Sequence, residues 1–328
     1  MFFQSHIFGP RRRSIGRNIR VIATLLATLP IAALAAPAVP QIETTISSFE
    51  LEDGGKLTWY RATTGQAPAT GLFVLINGSG CGPVDGFFGR MTQRIAAAIP
   101  QISFDVVELE KQGVSAATPP VRPGSGEGCS DEFHEHNDLS MRVHAQRALL
   151  RSLRAKTAYR RIVVMGMSDG GNIAAALAAQ EAQVTHLVLI GSGGMEQVDE
   201  LRLLRQRNAF PGFQEKDFAA AFQDIERFPT DTSKFFLGQT YRYWNDMAWV
   251  DPLDYLLDLK IPVMVGIGAA DTSVPADSVY LLGQAFAKAG KTNLSMRVYG
   301  NADHGLRVGE RNLQYDFLGD VGRWLQPQ

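Results

Sequence analysis

Hydrophobic and polar positions along this chain follow two alternating rhythms. Short runs are apolar at nearly every position: "LFVLI" at 72–76, "IVVMG" at 162–166, "LVLIG" at 187–191 and "PVMVGIG" at 262–268. Such runs predict strands buried on both faces. Between them lie longer stretches with apolar residues three and four apart, which predict helices: 87–99, 138–153, 171–180, 275–290 and 311–325. Asp138 stands where it can cap the second of these. "ISFDVVELE" at 102–110 and "LSMRVYGNADHG" at 294–305 add two strands, the latter with its exit loop. Strands alternating with helices make parallel βαβ units with right-handed crossovers. Ahead of them, "SSFELEDGGKLTWYRAT" reads as two strands around a Gly54-Gly55 turn. The expected fold class is therefore α/β, a doubly wound and mostly parallel sheet with an N-terminal antiparallel hairpin.

Two stretches break the rhythm. Residues 111–137 are rich in glycine and proline and read as loop. Residues 195–250 read as several short helices holding eleven of the thirty aromatic residues, among them Phe210, Phe213, Phe218, Phe222, Tyr243, Trp244 and Trp249. The bland reading of 195–250 is a small packed subdomain. The functional one is a helical cap over a site at the carboxyl edge of the sheet, since the insertion falls between two strands there.

The first forty residues differ from the rest. Arg11, Arg12, Arg13, Arg17 and Arg20 precede the apolar run Val21–Ala36, which ends in the small-x-small pattern Ala33-Leu34-Ala35. This is the layout of a secretory signal peptide over 1–36, with a faint twin-arginine resemblance at Arg12-Arg13. The run is short for a bilayer span and contains Pro30, which argues against an uncleaved anchor. The mature domain expected is 40–328, periplasmic or secreted, with no membrane association after cleavage.

Composition narrows the partners. The chain has 328 residues, a net charge of −1 and 45 % hydrophobic residues. That balance suits a soluble globular protein and gives no reason to expect nucleic acid as partner. Cys81 and Cys129 are the only cysteines. In an oxidising compartment they are expected to pair, closing a loop of nearly fifty residues.

Chemistry concentrates at "GMSDGG", Gly166 to Gly171. Here a G-x-S-x-G pattern joins a predicted strand to a predicted helix. A serine on such a turn is strained and exposed, and the residues two positions either side must be tiny because the backbone doubles back. Gly166 and Gly170 meet that need, and Ser168 is the candidate nucleophile. A serine hydroxyl needs a base. His304, followed by Gly305 after the last strand, lies at the edge where ligands bind in open α/β sheets. The other histidines fit less well. His6 falls in the signal, His186 opens a strand and His144 lies in a helix. His134 and His136 sit in an acidic loop, read as solvated or locally bonded, with a metal site or a role at the rim of the site as the other options. Asp271 ends the preceding strand and is the candidate to orient the imidazole. Asp303 and Asp277 are its rivals. For the oxyanion, "NGSGCG" at 77–82 offers the backbone N–H of Ser79, or else that of Gly80. The Asp169 N–H is its partner, and a Cys81–Cys129 bridge would stiffen the loop.

With these motifs in place the chain resembles the α/β-hydrolase superfamily over 70–190 and 255–325. The resemblance rests on "NGSGCG", "GMSDGG", "GAADTSVP" and "NADHG", and the order Ser168, Asp271, His304 fits it. It is nearest to exported esterase and serine-aminopeptidase-like branches, which usually carry His-Gly where this chain has Asn77-Gly78. It implies a serine hydrolase without metal or organic cofactor, acting on a small-molecule acyl ester. An amidase or peptidase with the same triad is the alternative, and a non-catalytic binding module is a more remote one.

Overall fold

The structure is a computed structural model that describes residues 42–51, 54–115 and 120–326. The expected signal peptide, 1–36, lies outside the described residues. The chain runs β1 (Thr44–Glu50), β2 (Lys56–Thr63), β3 (Gly71–Ile76), α1 (Asp85–Ala98), β4 (Phe104–Leu109), α2 (Asp131–His136), α3 (Leu139–Arg154), β5 (Arg161–Met167), α4 (Gly170–Gln180) and β6 (His186–Ile190). An inserted region follows with α5 (Gln197–Gln206), α6 (Glu215–Arg227), β7 (Phe235–Phe236), β8 (Gln239–Thr240), α7 (Tyr241–Met247) and α8 (Leu253–Leu256). The sheet then resumes with β9 (Val263–Gly268), α9 (Asp277–Lys288), β10 (Leu294–Tyr299), the short pair β11 (Arg307–Val308) and β12 (Arg311–Asn312), and α10 (Gln314–Trp324).

Eight strands form the main sheet in the order β1-β2-β4-β3-β5-β6-β9-β10. β1 and β2 pair antiparallel, as do β2 and β4, and every other neighbouring pair is parallel. The expected sheet and its leading hairpin are both present. The alternation of side chains across each strand divides the interior into two layers. Leu72, Val74 and Ile76 of β3 join Ile162 and Val164 of β5 on one face, together with residues of α3 and α4. Phe73, Leu75, Val163 and Met165 point to the other face, where α1 and α10 cover them. Full burial on both faces explains why β3 and β9 read as unbroken apolar runs.

The last main strand, β10, lies at the sheet edge and is half exposed, with Met296, Arg297 and Val298 facing water. Two expectations need correction. The stretch 111–137 is not all loop, because residues 131–136 form α2. Its start is fixed by Ser130, whose Oγ accepts from the Phe133 N–H at 3.1 Å, and by full burial of Phe133. His134 is accordingly buried between the rings of Phe133 and Phe235 rather than solvated. The Asp138 cap is present: its Oδ1 accepts from the Met141 N–H at 2.8 Å.

The topology fixes where a site can lie. β3 continues into β4 on one side, while β5 pairs on the other side of β3. The loops leaving β3 and β5 therefore diverge and open a crevice at the carboxyl edge. In register, Ile76 pairs with Gly166, Gly166 with Leu189, and Ile190 with Gly266. The loops after β3, β5, β6 and β9 thus leave the sheet at one level.

Candidate active site

Ser168 stands between β5 and α4 with φ of +54°, a left-handed conformation that a non-glycine residue adopts at a cost of about 1–2 kcal/mol. The close approach that requires glycine on either side is visible in the distances. A Cβ on Gly166 would lie 2.3 Å from the Gly170 carbonyl oxygen, and one on Gly170 would lie 2.4 Å from the Ile76 oxygen. Gly166 is therefore there because the helix begins against the strand that precedes it, and Gly170 because the end of β3 passes against the same turn.

Asp271 and His304 meet. Asp271 Oδ2 lies 2.7 Å from His304 Nδ1. The Asp271 side chain is fully buried, and its Oδ1 accepts from the N–H groups of Ser273 at 2.8 Å and Val274 at 2.9 Å. Three fixed hydrogen bonds leave this carboxylate one orientation. The rivals are engaged elsewhere: Asp303 Oδ1 accepts from the backbone of Gly305 and Arg307, and Asp277 pairs with Arg207 at the surface.

Ser168 and His304 flank one peptide unit. The Ser168 N–H donates to Ile190 O at 2.8 Å. The ring of His304 rests against the next residue, since a Cβ on Gly191 would lie 2.9 Å from His304 Cε1. No hydrogen bond joins the Ser168 hydroxyl to the imidazole among the described residues. Such links are commonly loose in unliganded sites and tighten with substrate.

The loop after β3 passes beside the serine. A Cβ on Gly78 would lie 2.9 Å from Ser168 Cβ. The Ser79, Gly80 and Asp169 N–H groups donate to no other group among the described residues. Gly80 packs on the 124–125 backbone, where an added Cβ would come within 2.8 Å of Ser125 O. Cys81 and Cys129 are joined by a disulfide. The loop between them also binds the inserted region: Ser125 Oγ donates to Gly238 O at 3.1 Å and Gln239 Nε2 donates to Gly124 O at 2.6 Å. One bridge thus links the loop beside Ser168 to the insertion. Closing a loop of 48 residues stabilises the fold by about 4 kcal/mol on the chain-entropy model. Reduction should therefore lower the thermal midpoint, as measured by circular dichroism with and without dithiothreitol.

A cavity of about 160 Å³ opens beside Ser168. The insertion supplies part of its wall through Gln197, Glu200, Gln239, Tyr243 and Trp244, and the turn after β9 adds Val274. Three polar features in and around the site were not legible in the sequence. Asp169, counted there only for its N–H, has its carboxylate held by Arg142 Nη1 at 3.0 and 3.1 Å and by the Tyr243 hydroxyl at 3.1 Å. The anion next to the nucleophile is thereby drawn into a buried ion pair. Burial pushes the Glu200 carboxyl up to about 8; a hydrogen bond from Ser278 opposes this and the nearby Asp271 adds to it. Lys111 reaches beneath the 77–81 loop, where its amine donates to Gly78 O and, at 2.6 Å, to Gly80 O. Charged residues ordinarily read as solvated surface, so no signal along the chain marks these three. The remaining histidines stay apart from the site. His144 is exposed. His186 packs on Trp324, and burial, with Arg161 adding to it, lowers its pKa to about 4. His136 Nδ1 lies 2.8 Å from Glu132 O. Among the described residues, no cluster of three or more His, Cys, Asp or Glu side chains could hold a metal ion.

The sheet order, the strained serine between strand and helix, and the carboxylate–imidazole pair at the same edge define an α/β-hydrolase. Two family models support an α/β-hydrolase superfamily member, a hydrolase by class. The family model described as the dienelactone hydrolase family matches residues 237–325, and one described as alpha/beta hydrolase matches 131–226. No curated protein matches the sequence significantly. Among solved structures, an esterase of Pyrococcus furiosus is 15 % identical with a TM-score of 0.57, covering 87 % of this chain and 90 % of its own. A carboxyl esterase of Bacillus coagulans is 14 % identical with a TM-score of 0.58, covering 86 % and 97 %. An acylaminoacyl peptidase of Pyrococcus horikoshii is 12 % identical with a TM-score of 0.59; the match covers 88 % of this chain and only 41 % of that one. At these identities the likeness is one of fold.

Proposed function

We propose that the protein hydrolyses carboxylic esters through a Ser168–His304–Asp271 triad and an acyl-enzyme. The observation that carries this reading is the 2.7 Å Asp271–His304 hydrogen bond, set one peptide unit from a serine held at positive φ. Ser168 Oγ attacks the acyl carbonyl while His304 Nε2 takes the hydroxyl proton. The oxyanion forms against the N–H groups of Ser79 and Asp169, aided by the N-terminal dipole of α4. His304 returns the proton to the leaving alkoxide, and water then repeats the sequence to release the acid. Arg142 has a part in this scheme, because an unpaired Asp169 carboxylate would oppose the developing negative charge. Residues 195–250 act as a cap that bounds the acyl or leaving group. In this proposal residues 1–36 direct export to the periplasm or exterior, where the disulfide persists. Among the described residues no helix is long and apolar enough to cross a membrane.

A second reading has one observation in its favour. Glu200 lines the cavity with no cationic side chain paired to it among the described residues, and a substrate amine bound there would favour its ionised form over the neutral acid that burial selects. That points to the amidase or aminopeptidase version of the same machinery. A panel of short p-nitrophenyl esters against aminoacyl anilides tests both. Preferred hydrolysis of the esters is the expected result, and a preference for aminoacyl anilides selects the second reading.

A further inference from the structure

We propose that Lys111 is a positioning residue for the oxyanion: it holds the loop after β3 so that the Ser79 N–H faces Ser168, and its charge polarises that peptide. The inference rests on the reading of Ser168 as nucleophile.

The geometry begins with peptide planarity. Across a trans peptide the C=O and the following N–H point in opposite directions. The Lys111 amine binds Gly78 O from beneath the loop, so the Ser79 N–H of the same peptide unit is turned to the opposite side. The second hydrogen bond, to Gly80 O at 2.6 Å, fixes the next turn of the loop, where Gly80 has φ of +80°. Arg142 Nη2 adds a third hold one residue earlier by donating to Asn77 O at 2.6 Å. A loop rich in glycine would otherwise have many conformations available to it. Two cations gripping the carbonyls of Asn77, Gly78 and Gly80 select one of them. A positive charge bonded to a peptide oxygen also strengthens the N–H at the other end as a donor, where a negative charge is to develop.

The groups around the amine make its charge conditional. Arg142 approaches from α3, Asp169 from the elbow, Glu110 and Glu108 from the end of β4, and the Phe133 ring of α2 lies 5.8 Å away. Glu108 is fully buried with neither oxygen hydrogen-bonded, and burial, with Glu110 adding to it, raises its pKa. Among the described residues no carboxylate forms an ion pair with Lys111. Burial, helped by Arg142, lowers its pKa to about 7, with Asp169, Glu110 and Glu108 opposing. The sign follows directly. The charged form is present below the lowered pKa and is lost as pH rises through it. Oxyanion stabilisation should fade on the alkaline side.

Steady-state kinetics on a p-nitrophenyl ester from pH 5.5 to 9.5 test this with the wild type, Lys111→Met and Lys111→Arg. The wild type should show an alkaline limb. Lys111→Met should lower kcat on the order of 10- to 100-fold with little change in KM, because the lost interaction belongs to the transition state. Its alkaline limb should vanish. Lys111→Arg, charged throughout the range, should recover part of the lost kcat and also lack the limb. A merely structural lysine would scale kcat equally at every pH and leave the limb in place. Wild-type kcat in Lys111→Met, or an unaltered limb in Lys111→Arg, overturns the proposal. If the Met variant does not fold, the Arg profile alone decides. Ser168→Ala run alongside separates the two ideas. Activity surviving there ends the nucleophile reading, whereas a dead Ser168→Ala with unaltered Lys111 variants ends only this one.

Discussion

Ser168→Ala should abolish ester hydrolysis, with kcat falling by about a million-fold, as for nucleophile loss in a serine triad. The size of the effect follows from what remains. Without Oγ no acyl-enzyme forms, and only the oxyanion donors and the binding cavity act on a water attack. The substitution should spare the fold. Ser168 sits at φ of +54°, and alanine meets the same backbone cost there as serine. Its N–H bond to Ile190 O is retained, since it involves no side chain. A fluorophosphonate probe should label the wild type and leave Ser168→Ala untouched. Labelling that persists in the variant would place the nucleophile elsewhere, and failure to label the wild type would revive the idea of a non-catalytic module.

Asp271→Asn should cost about ten-thousand-fold in kcat with the thermal midpoint almost unchanged, in line with the tautomer effect seen when a triad aspartate becomes an amide. Asp271 Oδ1 accepts two backbone N–H groups, and Oδ2 faces His304 Nδ1. The asparagine oxygen would keep the turn bonds, which leaves its NH2 toward the imidazole. His304 must then accept at Nδ1 and carry its proton on Nε2, where it cannot act as base. Asp271→Ala should lose as much activity but also melt earlier, because the N–H groups of Ser273 and Val274 lose their acceptor. Kinetics and calorimetry on both variants check this. An Asn variant that keeps wild-type turnover would remove Asp271 from the mechanism.

The parts of this molecule that were legible in the sequence are those fixed by local sterics or by chain order. Gly166 and Gly170 could be read because their absent Cβ atoms answer a local need, the doubling back of strand into helix. The pairing of Asp271 with His304 could be read because each follows a parallel strand, and parallel strands deliver their exit loops to one edge. Asp138 announced its helix by position. Elsewhere tertiary burial overrode local appearance. The stretch 131–136 lies in a segment rich in glycine and proline, yet Ser130 caps it and Phe133 anchors it in the core. Lys111, Arg142 and Glu200 look like solvated surface until the fold buries the latter two and half-buries Lys111.

The ion pair between Arg142 and Asp169 ties two positions into one unit of inheritance. Arg142 also grips Asn77 O, and Asp169 also receives the Tyr243 hydroxyl. Removing either charge alone strands the other in a water-poor interior, which commonly costs 3–5 kcal/mol, whereas exchanging both for apolar side chains of matched size need cost little. A lineage drifting through single substitutions would find both positions frozen. Saturation libraries aimed at altering this enzyme's selectivity should therefore vary 142 and 169 jointly, or leave both alone.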